Sequence, residues 1–416
     1  MSRQTETKSS TSYPKEKIKI LFLENISDKA INLFRQHGYT NIKKLNGALS
    51  EEDLIKEIKD VHLLGIRSKT QITPAVLLAA EKLQAIGCFC IGVNQVNLKE
   101  ATKKGITVFN APYSNTRSVA ELIIGLCIML IRRIPDKNKA AHNGIWLKEA
   151  TGSYELRGKT LGIIGYGNIG SQLSVMAESL GMKVKFFDTE TKLPLGNAIA
   201  CRNLKELVTD TDIVSLHVPE THQTKNLINK TILKHFKKGA IFINYARGEV
   251  VDISALASAL KEGHLGGAAI DVFPWEPEKN GDSFETPLQN LNNVILTPHI
   301  GGSTQEAQEN IGSDVSAKLF NYLEKGISTG SHTIPALNLP PVEGSHRILH
   351  IHRNVPGVLS AINSQLAKHQ INIIGQYLKT NDDIGYVVLD VDKKLSKHAL
   401  ELLKEVKDTI KVRILY

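Results

Sequence analysis

Three polar residues, Arg247, Glu276 and His299, each follow an apolar segment with the length of a β-strand in the 416-residue chain. If these segments are parallel strands, their carboxyl ends meet at one edge of a sheet, where ligands of such sheets bind. A histidine there could take a hydroxyl proton, a carboxylate could fix its tautomer, and an arginine could grip a substrate carboxylate. Each residue also has a structural interpretation, as a salt-bridged surface arginine, a loop carboxylate and a structural histidine.

An earlier glycine-rich stretch is typical of a dinucleotide-binding turn. Gly165, Gly167 and Gly170 form a G-x-G-x-x-G motif directly after the apolar run Leu161–Ile164. The first glycine permits a tight turn, the second lets a pyrophosphate approach the backbone, and the third lets the next helix pack closely. Asp188, eighteen residues after Gly170, ends a second strand-like segment and could accept hydrogen bonds from both ribose hydroxyls. Its charge would repel a 2′-phosphate, so the motif favours NAD over NADP; the alternative is a structural turn without a ligand.

Alternating strand-like and helical segments predict two α/β domains. Ser118 and Glu121 form a capping box that is expected to open the first helix of the second domain. An amphipathic helix from Thr304 to about Glu324 is expected to return to the first domain, which makes that domain discontinuous. We predict an α/β fold with a Rossmann-type dinucleotide domain, residues 115–302, inserted in a flavodoxin-like α/β substrate domain, residues 17–114 and 303–335.

The two ends of the chain have different compositions from its middle. Residues 1–16 are rich in Ser, Thr and Lys and predict a disordered tail. Residues 336–345 are expected to form a linker. From 346 to 416 the strand and helix signals follow the order βαββαβ, which predicts a ferredoxin-like module.

Composition narrows the class of protein. The formal net charge of +9 is not concentrated in one run, so small anions are more plausible partners than nucleic acid. The four cysteines form no C-x-x-C pair, and reduced thiols in a cytoplasmic protein are expected. The chain has no apolar run of eighteen residues and no apolar signal core near its start, so neither a membrane partner nor secretion is predicted.

The motifs, taken together, resemble those of the D-isomer-specific 2-hydroxyacid dehydrogenases. The glycine motif with its acid, the arginine, the glutamate and the histidine occur in the family's order, and the resemblance extends from about Ile18 to the end of the chain. Further matching stretches are Ile91–Asn94, Phe109–Pro112, Ser114–Glu121 and Thr297–Glu309.

The resemblance implies an enzyme that oxidises a phosphorylated D-2-hydroxy acid with NAD. His299 would be the acid/base, Glu276 its partner, and Arg247 the grip on the substrate carboxylate. Lys69 stands where close relatives carry arginine, so a bidentate contact is lost there. The implied cofactor-binding set is Gly165, Gly167, Asn168, Ile169, Gly170, Asp188, Ala246, Arg247, Asp271, His299, Gly301 and Gly302. The implied substrate-binding set is Arg67, Ser68, Lys69, Asn94, Arg247 and His299.

The C-terminal module resembles an ACT regulatory domain. The resemblance implies that L-serine binds as an effector at His352, Asn354 and Asn372, and that the chain forms a homotetramer. The alternative is a dimerisation sheet that has lost its ligand. His350 and His352 share a strand face, but a third metal ligand is not evident, so no metal is predicted.

Two other functions stay open. The first is a D-2-hydroxyacid dehydrogenase with a different substrate, which the behaviour of the Arg67 loop would reveal. The second is an NAD-sensing binding protein such as a co-repressor. The second would need no base, so the presence of both His299 and Glu276 counts against it.

Overall fold

The computed structural model describes residues 13–277, 281–341 and 344–415. The described residues form two compact units, one from those up to Ser114 together with those from Gln308 onwards, and the other from those between Asn115 and Ala307. Most of the predicted tail, residues 1–12, lies outside the described residues. A short 3₁₀ helix at Lys15–Lys17 falls at the end of that tail, and Lys15 forms an ion pair of 2.7 Å with Glu324.

The first unit begins with a parallel five-stranded sheet of order β2-β1-β3-β4-β5. This is the flavodoxin-like order, as predicted. Its buried apolar strands face helices on both sides, which is the usual arrangement of an all-parallel sheet. The elements are β1 Ile20–Phe22, α1 Asp28–Gln36, β2 Ile42–Lys44, α2 Glu51–Glu57, β3 Leu63–Ile66, α3 Pro74–Ala79, β4 Ala85–Cys88, α4 Leu98–Lys103 and β5 Thr107–Asn110.

The second unit contains a parallel seven-stranded sheet of order β12-β11-β10-β9-β6-β7-β8. The Rossmann order is confirmed, with its switch point between β6 and β9. The short edge strand β8 is additional to the six predicted strands. The elements are α5 Thr116–Ile131, α6 Ile134–His142, β6 Thr160–Ile164, α7 Asn168–Ser179, β7 Lys183–Phe187, β8 Ile199–Ala200, α8 Leu204–Thr209, β9 Ile213–Leu216, α9 Lys230–Leu233, β10 Ile241–Asn244, α10 Ile253–Lys261, β11 Gly267–Ile270 and β12 Val294–Leu296.

The predicted capping box at the start of α5 is wrong. The helix already begins at Thr116, with Asn115 as its N-cap residue, so Ser118 lies inside the first turn. The Ser118 hydroxyl is instead 2.8 Å from the Thr304 hydroxyl, and Glu121 pairs with Arg117 one turn earlier. Tertiary contacts have therefore overridden a local capping signal.

The long helix α11, Gln305–Lys325, leads the chain back into the first unit. Its buried face, which includes Val315 and Leu319, joins the apolar core formed by Phe22 and Phe34. Burial of this stripe is the main force that fixes the helix against the sheet.

The C-terminal module has an antiparallel four-stranded sheet of order β14-β15-β13-β16. The βαββαβ order is confirmed. Its elements are β13 Ser345–Arg353, α12 Val358–Lys368, β14 Ile373–Thr380, β15 Ile384–Asp392, α13 Ser396–Lys404 and β16 Thr409–Leu415. The predicted linker, 336–345, overlaps the start of β13 by one residue, and its residues 342 and 343 lie outside the described ranges.

The four cysteines are free thiols, and burial raises the pKa of Cys127 to about 12. A thiol with a raised pKa is a poor nucleophile, so this side chain is a packing residue. None of the helices in the described ranges is long and apolar enough to span a membrane.

Candidate active site

The three glycines of the motif after β6 meet three different steric demands. Gly165 has a φ of +91°, and a Cβ on it would lie 2.4 Å from the His217 carbonyl oxygen. A Cβ on Gly170 would lie 2.2 Å from the Gly165 carbonyl oxygen, so the close helix–strand approach requires glycine. Gly167 has open space at its Cβ position. This space would let a pyrophosphate reach the backbone at the start of α7, where Asn168 and Ile169 supply first-turn N–H groups.

Asp188 follows β7 and is half-buried. Its Oδ2 accepts a hydrogen bond from the Tyr166 backbone N–H at 2.7 Å, and its Oδ1 accepts one from Glu190 N–H at 2.9 Å. The carboxylate is thus tied to the glycine-rich turn, and each oxygen keeps a second lone pair for a hydroxyl donor. These residues fit the adenosine half of a dinucleotide.

The candidate acid/base pair is formed by His299 and Glu276. His299 Nδ1 lies 2.8 Å from Glu276 Oε2, while the imidazole and carboxylate side chains are 52% and 36% exposed. The second carboxylate oxygen, Oε1, accepts the Phe273 N–H at 3.0 Å, which fixes the glutamate from its own loop. Because Nδ1 is engaged, Nε2 is the nitrogen left to exchange a proton with a ligand.

Electrostatics couple the pair. The hydrogen bond with Glu276 raises the pKa of His299 above its ordinary value, although burial opposes this. Burial raises the pKa of Glu276, but the His299 hydrogen bond, the Phe273 N–H and the nearby charges of His299 and Arg247 outweigh it, so the net pKa is lowered. The pair is therefore organised as a carboxylate that stabilises an imidazolium.

The neighbouring Trp275 is 61% exposed. Most of its surface therefore faces solvent, and the hydrogen bonds that fix Glu276 are those with His299 and the Phe273 N–H.

Asp271 organises the loop that carries His299, a role that the sequence analysis missed. Its buried carboxylate accepts hydrogen bonds from Ile300 N–H and Gly301 N–H, both at 2.8 Å, and from the Thr297 hydroxyl at 2.6 Å. His299 itself has a φ of +53°, and its N–H donates to the Asp271 carbonyl at 2.8 Å. A non-glycine residue in the left-handed region indicates a backbone held by its surroundings.

Gly301 and Gly302 follow in the same loop and are closely packed. A Cβ on Gly301 would lie 2.7 Å from the Tyr245 ring, and a Cβ on Gly302 would lie 2.0 Å from the Asn115 amide nitrogen. A larger residue at either position would force the Tyr245 ring or the Asn115 side chain to move. Both positions remain predicted cofactor contacts.

Arg247 follows β10 beside Gly248. Its Nη1 donates to the Ala246 carbonyl at 2.6 Å, and it forms no ion pair with any residue of the described ranges. The salt-bridged alternative is therefore not what the structure shows. A Cβ on Gly248 would lie 2.0 Å from the Phe273 carbonyl carbon, so glycine is needed for the Arg247 and Glu276 loops to approach. Ala246 is buried beside them.

The predicted substrate residues of the first unit lie at carboxyl ends of its strands. Arg67, Ser68 and Lys69 follow β3, and Asn94 lies in the segment after β4. Arg67 is half-buried, and the other three are exposed. Cationic and polar groups are therefore grouped at one edge of this sheet.

The predicted effector residues are divided between surface and interior. Asn354 and Asn372 are exposed, whereas His352 is only 3% exposed. His350 and His352 are confirmed to share a face, with ring centroids 5.4 Å apart. No group of three or more potential metal ligands occurs among the residues that the structure describes.

Comparison with known families agrees with this geometry. The NAD-binding domain of the D-isomer specific 2-hydroxyacid dehydrogenases matches residues 124–301, and an ACT domain like that of the AHAS small subunit matches residues 348–411. The crystal structure of D-lactate dehydrogenase from Aquifex aeolicus, complexed with NAD and lactic acid, superposes with a TM-score of 0.65 at 26% identity. It covers 76% of this chain and 100% of that one.

Two relatives are each 53% identical over nearly the whole chain, which therefore belongs to the D-isomer-specific 2-hydroxyacid dehydrogenases, a family of NAD-dependent oxidoreductases. Both relatives are named D-3-phosphoglycerate dehydrogenase. The one from Haemophilus influenzae aligns over 405 residues, 97% of this chain and 99% of its own. The one from Escherichia coli aligns over 407 residues with the same coverage.

Proposed function

We propose that this enzyme catalyses the NAD-dependent oxidation of 3-phospho-D-glycerate to 3-phosphohydroxypyruvate, the first step of L-serine biosynthesis. The observation that carries the proposal is the His299–Glu276 pair, at 2.8 Å, in a chain 53% identical to two D-3-phosphoglycerate dehydrogenases. The glycine-rich turn and Asp188, on the same unit, would supply the site for the cofactor.

The chain's own part in the reaction is proton transfer and orientation. NAD, when bound, accepts the hydride from the substrate carbon. His299 Nε2 takes the hydroxyl proton as the carbonyl forms, and Glu276 stabilises the resulting imidazolium through Nδ1. Arg247, whose guanidinium has no carboxylate partner in the described ranges, binds the substrate carboxylate and polarises the adjacent oxygen.

Substrate choice depends on the phosphate. We assign its recognition to Arg67, Ser68 and Lys69, with Asn94 as a further polar contact. Arg67 offers a planar fork for phosphate oxygens, whereas Lys69 supplies a single point charge. The exposed state of Ser68 and Lys69 leaves their side chains available to a ligand.

The substrate proposal is tested in the reductive direction. We expect rapid loss of NADH absorbance with 3-phosphohydroxypyruvate, and slower loss with the phosphate-free keto acid 2-oxoglutarate as a side substrate. Arg67→Ala should raise the KM for the phosphorylated substrate at least about tenfold, because a charge-assisted contact is worth about 1.5–3 kcal/mol. Good turnover of phosphate-free acids alone, or an unchanged KM in Arg67→Ala, would point to another D-2-hydroxy acid.

We further propose that L-serine is an effector of the ACT module. Asn354 is exposed and anchored by a 2.7 Å hydrogen bond from its Nδ2 to the Asn381 carbonyl, which leaves its side-chain oxygen available to an ammonium group. Among the described residues, His352 Nδ1 is buried without a hydrogen-bond partner. A buried polar atom of this kind is costly unless a ligand or water satisfies it.

The effector proposal needs only the same assay with and without L-serine. Serine should reduce the wild-type rate, and Asn354→Ala and Asn372→Ala should each weaken that inhibition while the uninhibited rate stays unchanged. A rate indifferent to serine at millimolar concentrations would leave the module as a dimerisation sheet.

Assembly and location complete the proposal. We propose a cytoplasmic homotetramer, which the free thiols and the C-terminal sheet support. Strand β14 is an edge of that sheet and carries Ile374 and Leu378, which are 60% and 41% exposed. An apolar edge of this kind is typical of strand pairing with a second copy. Light scattering of the purified protein should give four times the 45.8 kDa chain mass.

A further inference from the structure

The loop that follows β3 is held through its backbone by a single distant side chain. Glu24 lies just after β1, the neighbour of β3 in the sheet. Its Oε1 accepts the N–H groups of Arg67 at 3.1 Å and Thr70 at 2.9 Å, and its Oε2 accepts that of Lys69 at 2.9 Å. One carboxylate thus takes up three of the four backbone donors between residues 67 and 70.

Glu24 is an unusual residue for its position unless these bonds are needed. It is only 8% exposed, and its φ of +59° lies in the left-handed region. Burying a carboxylate costs free energy that hydrogen bonds must offset, whereas an apolar side chain would fill the same space without that cost. The three N–H donors supply this compensation.

The opposite side of the loop is fixed as well. Gln95 is buried, and its Nε2 donates to the Arg67 carbonyl at 2.7 Å. Arg67 is therefore held by its N–H and by its carbonyl, from two different segments. Because Glu24 occupies three of these four backbone donors, the loop is left with the Ser68 N–H and the side chains of Arg67, Ser68 and Lys69 to meet a ligand.

We infer that Glu24 is a positioning residue for substrate recognition: it sets the backbone in which Arg67, Ser68 and Lys69 receive the phosphate group. This inference rests on the proposed function and deepens it. Glu24 itself makes no contact with the substrate. Glu24 holds the loop in its binding conformation before the substrate arrives. Preorganisation of this kind increases the affinity for the substrate.

The test uses the full-length enzyme and Glu24→Gln, which keeps the size of the side chain but places an NH₂ group against a backbone N–H. We expect the KM for 3-phosphohydroxypyruvate to rise about tenfold, with kcat within about twofold and the Kd for NADH unchanged. Glu57→Gln, at a half-exposed carboxylate on α2 that pairs with Lys43 in the same unit, is the matched control and should change none of these values.

A double-mutant cycle identifies the route of the effect. If Glu24 acts through Arg67, then Glu24→Gln should add little to the KM of an Arg67→Ala enzyme, because coupled residues are non-additive. Fully additive effects, an unchanged KM in Glu24→Gln, or equal losses in kcat, NADH affinity and thermal stability would overturn the inference. Glu24→Asp, which keeps the charge but not the reach, should raise the KM as well and carries the test if the glutamine variant does not fold.

Failure of this inference can be told apart from failure of the proposed function. A wild-type enzyme that does not reduce 3-phosphohydroxypyruvate contradicts the function. A wild-type enzyme that reduces it well, together with an unaltered Glu24→Gln enzyme, contradicts only the role of Glu24.

Discussion

His299 can act as an acid/base because Glu276 sets its tautomer, its orientation and its charge. The glutamate contributes one oxygen to the imidazole and the other to the Phe273 N–H, so the pair is anchored in the backbone. In reduction of a keto acid the imidazolium gives up a proton, and in oxidation the neutral imidazole accepts one. A higher pKa of His299 therefore extends reduction to higher pH and restricts oxidation to higher pH.

Substitution of Glu276 should shift the pH profile in a defined direction. Glu276 raises the pKa of His299, so Glu276→Gln lowers that pKa. In the reductive direction activity is lost as pH rises through the pKa of His299, and this alkaline limb should move to lower pH. In the oxidative direction the acidic limb should move to lower pH as well.

The measurement is kcat/KM between pH 5 and 10 in both directions, and kcat should also fall about 10²-fold or more. Glu262→Gln, at an exposed carboxylate at the end of α10, should leave the profile in place. If the pH profile of Glu276→Gln does not shift, Glu276 does not set the pKa of His299.

Asp188 should determine which nicotinamide nucleotide is used. Asp188→Asn removes the charge that would repel a 2′-phosphate and weakens the contacts to the ribose hydroxyls. The Kd for NADH is expected to rise about tenfold while that for NADPH falls, as measured by the quenching of protein fluorescence. Asp210→Asn, at an exposed carboxylate paired with Lys185, is the control. An unchanged ratio of the two Kd values would place the ribose elsewhere.

The chemistry-bearing side chains could be predicted from the sequence because each follows an apolar strand. The residues that shape their loops could not. Asp271 and Glu24 act by accepting backbone N–H groups from segments that are remote in sequence. No local pattern distinguishes such an acceptor from an ordinary loop carboxylate, because the donors are identified only by the tertiary structure.

Strands and helices with strong periodic signals were predictable, whereas two short edge strands, β2 and β8, were not. Strand β2, Ile42–Lys44, has a single apolar residue, and β8 has two residues, so neither presents an alternating pattern. Lysines and short lengths are common devices at sheet edges, where they discourage pairing with other chains. Lysines and short lengths also remove the alternating apolar pattern by which a strand is recognised in a sequence.

Gly170, in the first turn of α7, should tolerate no added atoms. A methyl group in Gly170→Ala would lie 2.2 Å from the Gly165 carbonyl oxygen, so the turn or the helix must shift. We expect a loss of about 1–3 kcal/mol in the free energy of unfolding and a marked loss of NADH affinity.

Gly125→Ala is the control, because Gly125 lies within α5 and its Cβ position is open. That change should be neutral, or stabilising by up to about 1 kcal/mol through helix propensity. Equal effects of the two substitutions on NADH binding would argue against a steric requirement at Gly170.

Across the molecule, the flavodoxin-like and Rossmann strand orders and the ACT module follow from the predicted succession of elements. The order of strands and helices along the chain does not reveal which contacts attach the ACT module within the first unit. Arg347, 8% exposed at its side chain, forms a buried ion pair with Asp390 and donates to the Lys325 and Pro340 carbonyls at 2.9 and 3.0 Å. One guanidinium thus joins the sheet of the module to the end of α11.

Breaking this pair from one side should be costly. Arg347→Ala leaves Asp390 buried without its partner, and we expect a loss of about 3–5 kcal/mol in the unfolding free energy of the module. Urea denaturation followed by circular dichroism is the measurement. Arg347→Met with Asp390→Leu should lose much less, and the exposed Arg353→Ala almost nothing. Equal stability of the single and double variants would show that the ion pair is not the attachment.

The most direct measurement is the turnover number of His299→Ala, determined together with its Kd for NADH. A positioned acid/base contributes about 10²–10⁴-fold, so kcat for 3-phosphohydroxypyruvate should fall by that factor while the Kd for NADH stays within about twofold of the wild type. His222→Ala, at an exposed histidine of the same unit, should behave as the wild type in both measurements. A His299→Ala enzyme that retains its full turnover number would contradict proton transfer by His299, and with it the proposed mechanism.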